Sequence, residues 1–244
     1  MTVAFWNNLG EKVKQKTIGT PVGDMARRIH WGLVIVLHVI MAVELAASIY
    51  NGLWLNVFLI IAIMSVILIP LILGRRFQLQ IPSEFQILAV IFIFSSLFLG
   101  EIRSYYDKIW WWDIVLHTSS GLLLGILGFL LVYILNENER ADLSMRPRFV
   151  ALFACLFAIA VGAVWEIFEF IMDQFFNTNM QKAMLDDPSG LTDTMWDLIV
   201  DTLGAITISG FGWWYMERKE HSFIELWIQK FVRKNPHLFK QNDL

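Results

Sequence analysis

Residues 149–175 read FVALFACLFAIAVGAVWEIFEFIMDQF. A run of about 20 apolar residues is the length a helix needs to cross roughly 30 Å of hydrocarbon, so this stretch predicts a transmembrane helix. Its second half nevertheless carries Glu166, Glu169 and Asp173, with no Lys or Arg among them. A carboxylate at bilayer depth costs roughly 2.5 to 3.5 kcal/mol on insertion scales. These acids are therefore expected to be protonated, hydrated or bound to a cation.

Similar apolar runs recur along the whole chain of 244 residues, which is 57% hydrophobic with a mean hydropathy of +0.56. A soluble domain is usually less apolar than this. We predict an all-α polytopic membrane protein, a bundle of about six transmembrane helices. The other five predicted spans are 31–50, 53–73, 84–101, 110–135 and 191–216. Cys155 is the single cysteine, which excludes an intrachain disulfide.

Positive charge is distributed unevenly among the connections between these spans. Sixteen of the 19 Lys and Arg residues lie before the first span, in 74–83, in 136–148 or after 216. Cytoplasmic connections are enriched in Lys and Arg, so we predict a plasma (inner) membrane protein with both termini in the cytoplasm. The predicted organisation is a cytoplasmic interfacial segment (1–30), a six-helix transmembrane domain (31–216) and a cytoplasmic amphipathic tail (217–244).

This topology places the acids of several spans in the outer half of the membrane. Asp113 and His117 lie near the start of the fourth span, and Asp197 and Asp201 near the start of the sixth. The acids of the fifth span lie near its outer end, and Glu44 lies in the outer half of the first. Residues four apart share a helical face. We therefore expect one acidic pocket open to the outer leaflet.

The same helical faces continue inward as small residues, which let transmembrane helices approach closely. We therefore expect the fourth and sixth helices to pack tightly below the acids. The small residues concerned are Ser120, Gly121 and Gly128 in the fourth span and Gly204, Ala205 and Gly212 in the sixth.

Carboxylates accompanied by one imidazole suit hard or borderline divalent cations, here Mg²⁺, Mn²⁺, Ca²⁺ or Zn²⁺. Such a cation can polarise a phosphoryl or ester oxygen and activate a water. His117 and Glu166 are the candidate catalytic residues. The candidate metal ligands are Asp113, His117, Glu166, Glu169, Asp197 and Asp201.

Further polar residues lie at the predicted outer rim, and each has a structural alternative. The candidate substrate-binding residues are Glu101, Arg103, Tyr106, Asp173 and Asp193. The rim residues can equally form a surface salt-bridge cluster, and Asp193 can equally cap its helix. Residues 176–190 are either a lid over the pocket or a plain loop.

The chain resembles a known family in its second half. The motifs are similar to those of the YjdF-like inner-membrane proteins and, distantly, of VanZ-like proteins. The resemblance implies a helical membrane fold with an acid-rich site. It rests on Tyr-Tyr-Asp-Lys at 105–108, Asp113 with His117 and Gly121, Trp165-Glu166-x-x-Glu169, and Asp193-Thr-x-Trp-Asp197-x3-Asp201-x2-Gly204-Ala205.

Three functions compete at this point. The first is a metal-dependent hydrolase or transferase acting on a membrane lipid or lipid-linked substrate. The second is proton- or cation-coupled transport, although transporters usually place their sites near the midplane and show inverted repeats. The third is non-catalytic binding of a cell-envelope ligand. The sequence gives no indication of nucleic-acid binding, and it leaves homo-oligomerisation open.

Overall fold

The computed structural model describes residues 21–76, 81–136, 145–176, 178–218, 227, 230–232, 234 and 235. Helices account for nearly all of these residues. The long helices are α1 (Pro21–Tyr50), α2 (Trp54–Arg76), α3 (Ser83–Ile93), α5 (Trp112–Asn136), α6 (Pro147–Phe176) and α7 (Leu191–Arg218). A π-helical segment, Phe94–Ile102, continues α3, and α4 is the single turn Tyr105–Lys108. The predicted all-α membrane fold is confirmed.

The helices agree with the predicted spans in number and approximate position. Four of them are long and apolar enough to cross a membrane: Met25–Tyr50, Ser83–Ile102, Trp112–Val132 and Pro147–Phe176. Helix α2 is apolar over Trp54–Ile69. Helix α7 is long enough, but its acids make it more polar than the others. The first helix begins at Pro21, ten residues before the predicted span, and Pro is favoured in the first turn of a helix.

The described residues form two compact units. The first unit contains the residues up to Trp112 together with 230–235, and the second unit contains the residues from Asp113 to the end of α7. In the first unit, α1, α2, α3 and the π segment share an apolar core. Its fully buried side chains include Met41 and Ile60, and Val90 and Phe98 are 2% exposed.

The described residues between 230 and 235 of the C-terminal tail belong to this first unit. Lys230 Nζ lies 2.6 Å from Glu84 Oε1, at the start of α3. Phe231, Val232 and Asn235 are buried. The tail and the beginning of α3 therefore lie on the same side of the unit. Most of the predicted amphipathic tail at 217–244, and all of residues 1–20, lie outside the described residues, and the orientation of both termini stays a prediction.

In the second unit, α5 and α7 approach closely through glycine. A Cβ on Gly121 would overlap the carbonyl oxygen of Asp201, and a Cβ on Gly204 would overlap that of Thr118. The predicted close packing of the fourth and sixth spans is therefore observed. Gly128 differs from the prediction, because it lies against Ala154 of α6 rather than against α7.

Candidate metal centre

Three helix ends of the second unit bring the site residues together. The start of α5 carries Asp113 and His117, the end of α6 carries Glu166 and Glu169, and the start of α7 carries Asp197. The Gly121 contact lies one turn below His117. Because it allows the two backbones to touch there, it sets the imidazole of α5 directly against the acidic face of α7.

His117 is the centre of the cluster, and carboxylates approach both of its ring nitrogens. Nδ1 lies 3.2 Å from Asp201 Oδ2 and 3.8 Å from Glu166 Oε1. Nε2 lies 3.5 Å from Asp113 Oδ1 and 3.9 Å from Asp197 Oδ2. The His117 side chain is only 11% exposed. One buried histidine is thus surrounded by four carboxylates from three helices.

The hydrogen bond to Asp201 determines how this histidine can act. Against an ionised Asp201, the 3.2 Å contact requires the proton on Nδ1, because an ionised carboxylate only accepts hydrogen bonds. In the neutral imidazole, Nε2 then presents a lone pair toward Asp113 and Asp197. An acceptor that faces two acceptors is unfavourable unless a proton or a cation lies between them.

Asp201 is held in place from two sides. The Ser120 hydroxyl donates a short hydrogen bond to Asp201 Oδ1. The same hydroxyl oxygen lies 2.8 Å from the His117 carbonyl oxygen. On the α6 side, a Cβ at Gly162 would lie only 2.7 Å from Asp201 Oδ2. The glycine therefore provides the space that this carboxylate occupies. Gly162 is a residue that the sequence analysis missed, because its partner lies on a different helix.

Glu166 is the most unusual member of the cluster. It is 4% exposed, and neither carboxylate oxygen has a hydrogen-bond partner among the described residues. The Thr194 hydroxyl lies near the Glu166 carboxylate but does not meet the distance and angle of a hydrogen bond. Glu169, one turn further along α6, accepts a hydrogen bond of 2.9 Å from Trp165 Nε1. A buried carboxylate without a donor points to a missing partner, because unsatisfied buried polar groups are rare.

Three of the predicted ligands meet the spacing of a metal site. Single ligand atoms of Asp113, His117 and Asp197 all lie within 4.8 Å of one another. Asp113 is the most accessible of the three, with 23% of its side chain exposed. Approach to the cluster is therefore from the Asp113 side. The roles predicted for Glu166, Glu169 and Asp201 as direct ligands stay predictions.

Two of the predicted substrate-binding acids are occupied with the loop between α6 and α7. Asp173 accepts hydrogen bonds from the Thr178 hydroxyl at 2.6 Å and from the Met180 and Gln181 amides at 2.8 and 2.9 Å. Asp193 accepts one of 2.7 Å from the amide of residue 182. Both carboxylates thus fix residues 178–182 over the end of the unit. Their predicted contact with a substrate is untested.

The start of α7 is capped from outside the helix. Asp187 accepts hydrogen bonds from the Ser189 and Thr192 side chains and amides, between 2.6 and 2.9 Å. These bonds hold the pKa of Asp187 well below its usual range, with the Ser189 hydroxyl the largest cause. Asp193, which the sequence analysis gave as a possible helix cap, accepts its hydrogen bond from the backbone amide of residue 182 in the loop instead.

The remaining predicted rim residues belong to the first unit. Arg103 Nη1 donates to Glu44 Oε2 at 2.8 Å, so Glu44 has a basic partner within this unit. Glu101 closes the π segment and is exposed. The ring of Tyr106 lies against Gly100, where a Cβ would overlap it. A role for Glu101, Arg103 and Tyr106 in substrate binding stays a prediction.

Comparison with known proteins shows where this chain belongs. The sequence pattern of a family described as "Predicted membrane protein (DUF2238)" matches residues 29–218. The chain belongs to this family. The matched range includes the whole carboxylate cluster, and the YjdF-like resemblance agrees with it. The distant VanZ-like similarity stays a prediction.

One relative of this chain has a description that names no activity. It is an uncharacterized protein of Thermotoga maritima, 28% identical over 141 residues, which are 57% of this chain and 67% of that protein. No solved structure matches the chain significantly. The family establishes a membrane protein, and any more specific function has to be argued from the site.

Proposed function

We propose that the protein holds a divalent cation between Asp113, His117 and Asp197 and uses it to hydrolyse or transfer a lipid headgroup. The observation that carries this proposal is the His117 ring, whose Nδ1 is bonded to Asp201 while Nε2 faces two carboxylates. This is the arrangement of a metal-ligating histidine whose second nitrogen is oriented by a carboxylate.

Electrostatics favours a cation over an empty cluster. Two carboxylate charges less than 5 Å apart repel by about 3 to 4 kcal/mol at an effective dielectric of 20. A protonated imidazole carries one positive charge against the four acids around it. A divalent cation adds two positive charges where Asp113 and Asp197 converge. Oxygen ligands with one imidazole suit Mg²⁺, Mn²⁺, Ca²⁺ or Zn²⁺.

The remaining buried acid then has a chemical role. A bound cation supplies Lewis acidity toward a phosphoryl or ester oxygen and lowers the pKa of a bound water. Glu166 Oε1 lies 3.8 Å from His117 Nδ1 and has no hydrogen-bond partner among the described residues, so Glu166 would be the base available beside such a site. Asp201 holds the His117 tautomer while Ser120 and Gly162 hold Asp201.

The predicted topology supplies the substrate class. If the connections rich in Lys and Arg are cytoplasmic, the start of α5 lies at the outer leaflet. Asp113, the most exposed ligand, then faces the headgroup region. A membrane lipid or lipid-linked phosphate reaches this position without leaving the bilayer. Trp110, Trp111 and Trp112 precede Asp113 as an interfacial aromatic belt would.

Proton- or cation-coupled transport is the second candidate. It is favoured by one observation, the burial of the Glu166 carboxylate within a membrane helix without a hydrogen-bond donor among the described residues. Buried acids of this kind form proton relays in pumps and transporters. Non-catalytic ligand binding, the third hypothesis, would use the same carboxylate cluster without any reaction.

The test begins with the metal itself. Protein purified in mild detergent is titrated with Mn²⁺ and Zn²⁺, and its bound metal is measured by elemental analysis. The double variant Asp113→Asn/Asp197→Asn is compared with the wild type. Asp107→Asn/Asp186→Asn is the matched control, because it removes the same two charges from exposed positions outside the cluster.

We expect near-stoichiometric metal in the wild type and the control, and loss of more than about 90% of it in the Asp113/Asp197 variant. Equal metal content in all three proteins would refute the metal site. With the site established, release of headgroup from phospholipids and polyprenyl phosphates is assayed for wild type and Glu166→Gln. Metal binding without turnover would leave two hypotheses, ligand binding and ion-coupled transport. A liposome flux assay distinguishes them, because only a transporter would produce flux.

A further inference from the structure

The opposite end of the second unit carries a feature unrelated to the acids. Helices α6 and α7 leave an open groove of about 520 Å³ between positions 148–155 of α6 and positions 206–213 of α7. Its lining is mostly apolar, with Leu152 and Ile206 more than half exposed. Its volume falls in the range of small-ligand sites, roughly 300 to 1,000 Å³.

A second, smaller groove of about 280 Å³ runs beside the first. Positions 149–157 of α6 line it, and the stacked rings of Phe153 and Phe157 form part of its wall. Leu152 lines both grooves and forms the ridge between them. Helix α6 thus contributes to two adjoining apolar grooves that share Leu152.

A cationic group forms part of the lining of the larger groove. The Arg148 guanidinium lies 5.6 Å from the ring centroid of Trp213, across the head of the larger groove. Arg218 lies over Trp214 at 4.4 Å, at the same end of α7. Stacking on indole orients an arginine, whose planar fork suits a phosphate.

We propose that this surface is a binding site for an anionic diacyl phospholipid. The phosphate is held by Arg148, and the two acyl chains lie in the two grooves on either side of Leu152. The match is one of shape and of charge, since one apolar groove carries the oriented Arg148 guanidinium in its lining and the second groove adjoins it at Leu152. On the predicted topology the lipid belongs to the cytoplasmic leaflet, where Arg148 lies.

This site is distinct from the carboxylate cluster. Arg148 and Glu166 are 18 residues apart on the same helix, which corresponds to about 27 Å along its axis. Binding here therefore requires neither the metal nor the proposed reaction, and the lipid experiment stands whether or not the metal titration succeeds.

Gly210 offers a direct way to close the larger groove. Gly210 lines the groove and a Cβ built on it meets nothing within 4 Å, so Gly210→Leu places a bulky side chain in the groove. Gly32 on α1 is equally open, and Gly32→Leu is the matched control. Arg148→Gln removes the phosphate contact, and Arg146→Gln removes the same charge from a residue that does not line the groove.

The measurement is native mass spectrometry of the purified full-length protein in micelles containing equal amounts of phosphatidylglycerol and phosphatidylethanolamine with identical chains. We expect the wild type to retain phosphatidylglycerol with a preference of roughly fivefold, the effect of about one basic residue at a lipid surface. Arg148→Gln removes the preference, and Gly210→Leu lowers the retention of both lipids. Gly32→Leu and Arg146→Gln keep the wild-type pattern.

Each contrary outcome would overturn the proposal. Equal retention of the two lipids by the wild type would refute an anionic site. If Arg146→Gln and Arg148→Gln lose the preference for phosphatidylglycerol equally, the preference comes from general surface charge and not from a site at Arg148. A change from dimer to monomer in Gly210→Leu without any change in bound lipid would make the groove an interface between copies. Circular dichroism and size-exclusion profiles verify that every variant is folded.

Discussion

Adding a single methyl group at Gly162 tests the link between helix packing and the metal centre. The new Cβ of Gly162→Ala would lie 2.7 Å from Asp201 Oδ2, where ordinary contacts begin at 3.4 Å. The carboxylate therefore has to retreat by about 0.7 Å. It moves away from the α6 helix, and its 3.2 Å bond to His117 Nδ1 is disturbed.

The size of the effect follows from the role of that bond. Removing the outer partner of a metal-ligating histidine typically lowers metal affinity by about 10- to 100-fold. We therefore expect Gly162→Ala to weaken Mn²⁺ or Zn²⁺ binding within this range. The free energy of unfolding is not expected to fall, because Ala is favoured over Gly in a helix by about 1 kcal/mol. The variant should bind metal less tightly while unfolding no more easily.

Isothermal titration of the purified protein measures the affinity, and thermal unfolding in detergent measures the stability. Gly210→Ala is the control, since its Cβ meets nothing within 4 Å. It should keep the wild-type affinity. If Gly162→Ala binds metal as tightly as the wild type, the bond between Asp201 and His117 does not support the site, and the assignment of Asp201 as a positioning residue is wrong.

The remaining predictions concern helix packing and the outer loop. Gly204→Ala forces α5 and α7 apart and should lower the free energy of unfolding by about 1 to 3 kcal/mol, measured by denaturation in mixed micelles. An unchanged midpoint would contradict the glycine contact. Asp187 has a pKa below its unfolded value of about 3.9, so it stabilises the start of α7 above that pH and loses this contribution as the pH falls. The protection factor of the Thr192 amide should therefore fall on acidification in the wild type and show little pH dependence in Asp187→Asn.

Much of the fold is predictable because hydropathy is a local property of the chain. A helix of about 20 apolar residues satisfies its own backbone within the bilayer, whatever its neighbours are. For this reason the six spans correspond to helices within a few residues, apart from the early start of α1 at Pro21. The π segment was not predicted, since its hydrogen bonds, such as Arg103 N to Phe98 O at 3.0 Å, depend on surrounding contacts.

The candidate site was predictable in composition but not in arrangement. Spacing places Asp113 with His117 and Asp197 with Asp201 on common faces, and the structure brings these faces together. Spacing does not show which carboxylate meets which ring nitrogen. It equally did not show that Glu44 pairs with Arg103, 59 residues away.

Composition and spacing along the chain are enough to establish an all-α membrane protein with carboxylates concentrated near particular helix ends, because length, hydropathy and periodicity act within one segment. The tertiary structure alone decided that His117 faces Asp201 on one nitrogen and Asp113 with Asp197 on the other. It also decided that Asp173 and Asp193 hold a loop. These pairings depend on how closely the helices cross, and that distance is set where Gly121 and Gly204 lie against the backbone of the neighbouring helix.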